Sequence, residues 1–225
     1  LLSIISTVIL NVPAQNAHWS YGIPTPGIIA SSAVTVILSN GSAYIAQTQS
    51  GTSNIHLSEI DPATMAATGT TYTYANASTI YNNIILKGGF EDFDGNIVLY
   101  GYCFNSGGSD YGYIAEIDPA NFQFQFIEMN NIPGTINQGS TGKDINGNTS
   151  NMFVYSNGHI YATDNTLNIL SYKYLIGQQG YFTDVVWDRY HDCFVASGSR
   201  HNSTTLTMDP FISCFKFDAV TPSII

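Results

Sequence analysis

The chain has 225 residues, of which 44% are hydrophobic and only 10% charged, and its formal net charge is −10. Only 6 residues are Lys or Arg, so the clustered positive charge that nucleic acids and anionic membrane surfaces attract is absent, and we expect no nucleic-acid partner. Many aromatic residues and Gly, with few charges, are typical of a folded β-rich protein and exclude a disordered one.

The N-terminus begins with an apolar run that ends at Pro13 and is followed by small and polar residues. This pattern resembles the apolar and cleavage regions of a secretory signal peptide without its basic start. The run is too short for a transmembrane helix, and no later segment of the mature chain could span a bilayer. We therefore expect residues 1–17 to be a signal-peptide remnant and the protein to be secreted or at the extracellular surface. A first β-strand, favoured by the β-branched residues of IISTVIL, is the alternative.

From residue 18 onward the chain repeats one pattern: a strand, a Gly-containing turn, a second strand, a polar loop, a third strand, and in two copies Ile-Asp-Pro-Ala. Four units can be aligned, near residues 28–76, 77–133, 148–180 and 181–225. The mean period is about 50 residues, which lies in the range typical of propellers and solenoids.

The turns indicate how each unit folds. Asn40-Gly41, Asp94-Gly95 and Asn157-Gly158 separate apolar runs, and such pairs tolerate the positive φ of tight hairpins. No segment shows a sustained helical period. The sequence predicts an all-β, β-propeller-like fold of about four four-stranded antiparallel blades in an incomplete ring. A β-sandwich or β-solenoid is the alternative.

The segment DGNIVLYGY…YGYIAEIDPANFQF resembles the β-propeller repeats of secreted bacterial proteins, in which an Asp-Gly-Asn turn precedes a strand and a later strand runs into Asp-Pro. The resemblance is clear in the first two units and fainter in the last two. It implies a propeller fold and a secreted setting, often within a larger surface protein, but no reaction. Further blades or domains of the same polypeptide are therefore expected.

Loop length predicts where a ligand binds. In an up-and-down blade the first and third turns lie at one end, and here they are short. The other loops, placed at 48–54, 105–110, 130–150 and 198–209, are longer and rich in Asn, Ser, Thr and Gly. Function often resides on long loops that a rigid scaffold holds. The predicted ligand-binding face therefore carries Asp110, Lys143, Asp144, Asp164, Arg200 and His201.

Catalytic and metal motifs are missing from the sequence. No zinc spacing among the His residues and no nucleophile elbow occurs, so we predict no cofactor. Glu59 and Glu116 precede the repeated Ile-Asp-Pro and are expected to be solvated strand residues. Hard cations favour clustered oxygens, which makes two turns calcium candidates. Their residues are Asp92, Asp94 and Asn96 in one turn and Asp144, Asn146 and Asn148 in the other, although a hairpin turn and a loop explain both more simply.

The last hairpin predicts a cross-strand cysteine pair. If Ser197 faces Pro210, then Cys193 faces Cys214 directly, and an oxidising compartment would permit a disulfide. Two buried free thiols are the alternative. The same strand pattern predicts a core that contains Val36, Ile45, Leu57, Ile97, Leu99, Ile114, Phe153, Ile160, Val186, Phe194 and Phe215.

Three functions are compatible with this sequence. The first is a non-catalytic secreted or cell-surface propeller that binds a protein or glycan through its long-loop face, as an adhesion or scaffold module. The second is a polysaccharide-acting enzyme with part of its site in other blades. The third is a structural spacer within a larger surface protein. The lack of a convergent acid, base or nucleophile set favours the first and third.

Overall fold

The computed structural model describes residues 30–49, 52, 54–61, 63–64, 66–75, 83–104, 108–174, 180–202, 204–218 and 223–224. The proposed signal segment 1–17 lies outside these residues. All regular structure in the described residues is β-strand, and no described helix is long and apolar enough to cross a membrane.

Four antiparallel meanders follow one another along the chain. The first sheet contains β1 Ala30–Ile37, β2 Ala43–Gln49, β3 Asn54–Ile60 and β4 Ala67–Ala75. The second contains β5 Asn83–Glu91, β6 Ile97–Phe104, β7 Asp110–Ile117 and β8 Phe124–Pro133. The third contains β9 Ile136–Lys143, β10 Thr149–Tyr155, β11 His159–Asp164 and β12 Ile169–Tyr174. The fourth contains β13 Gly180–Asp188, β14 Cys193–Asn202 and β15 Thr207–Phe215, and a short pair, β16 Phe217–Asp218 and β17 Ser223–Ile224, follows.

The first strands of successive sheets lie side by side, β1 against β5, β5 against β9 and β9 against β13. A buried hydrophobic layer fills each space between neighbouring sheets. Leu57 and Leu99 lie in the layer between the first and second sheets, Tyr100 and Phe153 in the next, and Val154 and Phe194 in the last. Sheets stacked in this way around their first strands form a β-propeller-like fold, as predicted, and no closed ring is found among the described residues.

The three predicted Gly turns are present, and Gly41, Gly95 and Gly158 have φ of 90°, 87° and 83°. The third lies one hairpin later than expected, because it joins β10 to β11, the second and third strands of its sheet. The first turn of that sheet is instead Asp144–Asn148, which is closed by a hydrogen bond from the backbone N–H of Asp144 to the carbonyl of Asn148.

The segment predicted as a long loop over 130–150 is mostly strand. It contains the end of β8, all of β9 and the start of β10, and the third sheet begins at Ile136 rather than near residue 148. The sequence INQGSTGK lacks apolar alternation because its small residues lie under aromatic rings. A Cβ on Gly142 would lie 2.4 Å from Trp187 Cε3 and 2.5 Å from Phe194 Cζ.

The loop predicted over 198–209 is also shorter than expected. β14 continues to Asn202 and β15 begins at Thr207, so most of that segment is paired strand. The register differs as well, because Phe194 faces Phe215 and Cys214 faces Val195. Cys193 and Cys214 are therefore not direct partners but diagonal ones. Their Cα atoms are 6.1 Å apart and their sulfur atoms form a disulfide.

Most of the predicted core is buried, namely Val36, Leu57, Ile97, Leu99, Ile114, Phe153, Ile160, Phe194 and Phe215. Ile45 is half-buried. Val186 was predicted wrongly and is 51% exposed. The register of β13 shifts between Phe182 and Asp184, so that Val185 takes the inward position and Val186 points outward.

Candidate functional site

The six residues predicted to form one ligand-binding face lie at two opposite ends of the sheets. Asp110 begins β7, and Arg200 and His201 lie near the end of β14. Lys143, Asp144 and Asp164 lie at the other end, where β9 and β11 finish. The structure brings together Asp144 and Asp164, which line one cleft, and separates them from Asp110, Arg200 and His201.

We call the end that carries the first and third turns of each sheet the short-turn face; its turns follow β1, β3, β5, β7, β9, β11 and β13. Hydrogen bonds join these turns across neighbouring sheets. The N–H of Ser39 donates to Glu91 Oε2 at 2.6 Å, and Thr149 Oγ1 donates to Asp94 Oδ1 at 3.3 Å. Asn165 Nδ2 donates to Asp94 Oδ2 at 2.8 Å.

Aspartate side chains shape the turns of this face. Oδ1 of Asp92, Asp144 and Asp164 each accepts the backbone N–H groups two and four residues later, at 2.8 to 2.9 Å. Asp61 and Asp118 each accept the N–H two residues later at 2.8 Å. Short-range bonds of this kind hold a turn in one conformation, so the polar groups between them are presented by a rigid frame.

The same bonds describe the surroundings of Asp144, one of the calcium candidates in the third sheet. Asp144 Oδ1 accepts from the backbone of Asn146 and Asn148, and its Oδ2 accepts Asn148 Nδ2 at 3.1 Å. N–H donors therefore surround the carboxylate where a cation would need oxygen ligands. Among the described residues, no three or more His, Cys, Asp or Glu side chains are grouped so that they could hold a metal ion.

The turn of the second sheet departs from this pattern. In the third sheet, the side-chain amide four residues after the turn aspartate donates to the Oδ2 of that aspartate. Asn148 donates to Asp144 in this way at 3.1 Å, and Asn168 donates to Asp164 at 2.9 Å. Asn96 instead donates its amide to Glu116 Oε1 at 3.4 Å. Asp92 Oδ2 is consequently buried without a hydrogen-bond partner.

Glu116 lies beside this turn on β7. It faces Val98 on β6 and Gln125 on β8, and Gln125 Nε2 donates to its Oε1 at 3.0 Å. The residue is only 6% exposed, and its Oε2 is buried without a partner. The expectation that Glu116 is a solvated strand residue was therefore wrong.

Burial and charge both act on this carboxyl group. Burial, followed by the negative charges of Asp92, Asp94 and Asp164, raises the pKa of Glu116 from 4.5 to about 7. The pKa of Asp92 is also raised, chiefly by burial. The pKa of Asp164 is lowered, because hydrogen bonds from Asn168 and Thr166 outweigh the opposing effect of burial. Two kinds of carboxyl group, one favouring the protonated form and one the ionised form, thus lie near one another.

Three adjoining clefts cross the short-turn face. The first, of about 520 Å³, lies between Glu91 and Trp187, and the second, of about 530 Å³, lies between Asp144 and Asp164. Asp94 lines both. Asn165 lines the second cleft and the third, of about 450 Å³. The clefts therefore form one continuous polar surface across the second and third sheets.

The third cleft carries Glu116 on its wall. Its other polar lining residues include Asn96, Asp118 and Gln125, and Phe124 adds an apolar wall. The second and third clefts contain no Lys or Arg among their lining residues, whereas Arg189 lines the first. The surface is thus rich in hydrogen-bond acceptors and strongly negative.

A cysteine nucleophile is not part of this surface. Cys103 is the described cysteine outside the disulfide, and it is fully buried between the first and second sheets. Burial is the largest cause that raises the pKa of its thiol to about 12, so it is not a thiolate at neutral pH.

Glu116 is the residue that sequence reasoning missed. Glu59 occupies the same position before the same Ile-Asp-Pro in the first sheet, and it is only half-buried. β4 shifts register beside Glu59, between the partners of Ser58 and Ile60, whereas Glu116 is paired directly with Gln125. The repeated Glu-Ile-Asp-Pro motif marks both glutamates in the sequence, but the pairing of the adjacent strand differs between the two sheets.

No protein-family model and no curated protein matches this sequence. Among solved structures, a chain of Kuenenia stuttgartiensis hydrazine synthase is similar with a TM-score of 0.52 and 11% identity, over 80% of this chain and 58% of that chain. The Dos1 propeller gives a TM-score of 0.46 at 10% identity, over 85% of this chain and 46% of that one. A β-1,3-galactosidase of group GH43 gives 0.41 at 13% identity, over 85% and 74%. At such identity the first similarity shows a shared fold and no shared activity.

Proposed function

We propose that this protein is a non-catalytic, extracellular β-propeller module that binds a glycan on its short-turn face. The sequence favoured a binding module that uses the long-loop face. Because the clefts among the described residues lie at the opposite end of the sheets, we propose that end as the binding surface.

The continuous polar surface is the observation that supports this proposal. Its second and third clefts present carboxylates, amides and hydroxyls of Asp94, Asn165 and Thr166 on turns that hydrogen bonds already hold in place. Sugars offer many hydroxyl donors in fixed geometry, which such acceptors match. A prearranged site loses little conformational entropy on binding.

The disulfide supports an extracellular location. Bonds of this kind persist in oxidising compartments and are rare in the reducing cytosol, and Cys193 and Cys214 are joined. This argument is independent of the apolar segment at residues 1–17, which the structure does not describe.

A polysaccharide-acting enzyme is the second candidate, and one observation favours it. Glu116 favours the protonated form while Asp164 favours the ionised form, and this is how acid and base roles separate in carboxylate enzymes. Oε2 of Glu116 is enclosed by protein, however, so the carboxyl group in this conformation does not reach a substrate oxygen.

A glycan array followed by calorimetry tests the proposal. The array carries neutral, amino-containing and acidic oligosaccharides, and the best ligand is then titrated into the purified protein. Asn165→Ala removes a residue that lines two clefts and should lower affinity by about tenfold, the loss expected for one to two hydrogen bonds.

Asp110→Ala is the matched control, because Asp110 lies at the opposite end of the sheets and should leave affinity unchanged. The proposal fails if no glycan binds. The assignment of the face fails if Asp110→Ala weakens binding and Asn165→Ala does not. Release of shorter sugars from the bound ligand would establish the enzyme instead.

A further inference from the structure

We propose that the first cleft is a subsite for an uncharged hexopyranose. The sugar packs the C–H face of its ring on Phe93 and Trp187 and accepts hydrogen bonds from Arg189. This inference rests on the proposed glycan-binding function and names both the subsite and the class of sugar. The cleft adjoins the second cleft at Asp94, so one oligosaccharide can occupy both.

The first argument is the pair of aromatic side chains that line this cleft. Phe93 lies in the turn after β5 and is 40% exposed. Lys143 Nζ lies 5.8 Å from its ring centroid, near the outer limit of a cation–π contact, so the ring remains available. Trp187 is half-buried, and its indole is held in place by Phe194, with centroids 4.9 Å apart, and by Gly142. The apolar face of a pyranose packs on such rings, and a ring already held in place loses little entropy on binding.

The second argument is a guanidinium group that the protein leaves available. Arg189 is exposed and lines the first cleft. Within the described part of the chain it makes no ion pair or hydrogen bond, since the neighbouring Asp188 is bound to His191 at 2.6 Å. The guanidinium carries five N–H donors, and the hydroxyl and ring oxygens of a sugar are acceptors for them.

The third argument concerns the carboxylates of the same cleft. Glu91 accepts hydrogen bonds from the N–H and Oγ of Ser39, and Asp94 accepts one from Asn165. These bonds hold both carboxylates in place and leave further lone pairs for the hydroxyls of a sugar. Three carboxylates line the cleft beside one guanidinium, so an acidic sugar is repelled. An uncharged sugar can use the rings, the donors and the acceptors together.

The test uses tetramers of glucose, mannose and galactose, each compared with its uronic-acid counterpart, in calorimetric titrations of the purified protein. We expect at least one neutral tetramer to bind, and its uronic counterpart to bind at least about tenfold more weakly, because the carboxylates of the cleft repel it. Trp187 supplies a direct readout, since Trp19→Phe leaves it as the only tryptophan of the chain. Its emission should shift to shorter wavelength when the bound sugar removes water from the indole.

Variants of Phe93 separate ring stacking from apolar contact alone, and the exposed position of this residue should preserve the fold. Phe93→Tyr keeps the flat ring and should keep the wild-type affinity, whereas Phe93→Leu loses the ring and should weaken binding about tenfold. Arg189→Met keeps the apolar stem without the donors and should also weaken binding. Tyr190→Ala is the matched control, because Tyr190 is 96% exposed, follows Arg189 and does not line the cleft, so affinity should not change.

The outcomes separate this inference from the proposed function. Uronic tetramers that bind as tightly as the neutral ones, or a Phe93→Leu variant with wild-type affinity, overturn the inference. Unchanged Trp187 emission, with binding that Asn165→Ala weakens, places the glycan in the other clefts and overturns the inference alone. Binding of an acidic or amino-containing glycan from the array, without any neutral tetramer, does the same. No binding of any glycan would overturn the proposed function itself.

Discussion

Glu116 shows that two residues in the same local sequence motif can have different environments in the folded protein. It shares Glu-Ile-Asp-Pro with Glu59, yet it is 6% exposed and retains one carboxylate oxygen without a donor. The cost of burying that oxygen appears as the raised pKa of the group. The pKa of Glu116 therefore measures how strongly the wall of the third cleft excludes water from this carboxyl group.

The first prediction concerns the pH dependence of stability. Because the folded state raises the pKa of Glu116 from 4.5 to about 7, it favours the protonated form. The resulting stabilisation is fully present below about pH 4.5 and is lost as pH rises through 7. Glu116→Gln remains neutral, so between pH 4 and pH 8 it should gain about 2 kcal/mol in unfolding free energy relative to wild type, after allowance for solvent screening.

Urea denaturation across this pH range measures the effect, and Glu59→Gln serves as the control at the equivalent position. A difference between Glu116→Gln and wild type that does not change with pH would contradict the prediction. A nuclear magnetic resonance titration of the Glu116 carboxyl carbon measures the pKa directly.

Among the elements, β9 shows that the side chains packed against a strand can determine which residues fit in it. Its residues Ile136, Gly139 and Gly142 are buried, and two of the three have no side chain. The rings of Phe153, Trp187 and Phe194 occupy the space that larger side chains would need. β9 consequently pairs with β10 and lies between β5 and β13, although its polar sequence is not typical of a buried strand.

The second prediction tests this packing. Gly142→Ala places a methyl group 2.4 Å from Trp187 Cε3 and 2.5 Å from Phe194 Cζ, and both rings are held by the layer between the third and fourth sheets. We expect a loss of about 1–3 kcal/mol in unfolding free energy from overpacking. Lys143→Ala, one residue later on the exposed side, should change stability by less than about 0.5 kcal/mol. Equal effects of the two variants in thermal and urea denaturation would contradict the structure of β9.

At the scale of the whole molecule, the fold is a series of sheets joined by three hydrophobic layers. The second and third sheets bury both of their faces against neighbouring sheets, so no sheet supplies a core alone. The disulfide joins β14 to β15 in the fourth sheet and closes a segment of 21 residues. The disulfide restricts the conformations of the unfolded chain as well as holding the two strands of the hairpin together.

The third prediction concerns this disulfide. Replacement of both Cys193 and Cys214 by Ser should lower the unfolding free energy by about 3 kcal/mol, as expected for a loop of this length. Reduction of the wild type should cause a similar loss and leave the double variant unchanged. Stability that is insensitive to reduction in the wild type would argue against a stabilising role.

The fourth prediction counts thiols. Unreduced, denatured protein should show one reactive thiol, that of Cys103, because the other two cysteines are bonded. In the native protein Cys103 should react slowly, since it is fully buried and its thiol pKa is raised to about 12. Three reactive thiols after denaturation would show that the disulfide is absent.

The sequence by itself determined the strand meander, the hairpins and most of the core. Asn40-Gly41 and Asp94-Gly95 specify tight turns because their backbone preferences are local, and alternation of apolar residues specifies which face of a strand is buried. These features depend on residues within one hairpin. The all-β, propeller-like fold followed from their repetition.

Only the tertiary structure decided where the candidate site lies. The strand character of β9 depends on rings from β13 and β14, and the outward position of Val186 depends on a register shift that alternation does not encode. The burial of Glu116 and the joining of Asp94 to Asn165, 71 residues away, arise when the second and third sheets pack together. Contacts between distant segments set burial and charge, so the acidic clefts of the short-turn face could not be read from the local patterns that predicted the strands.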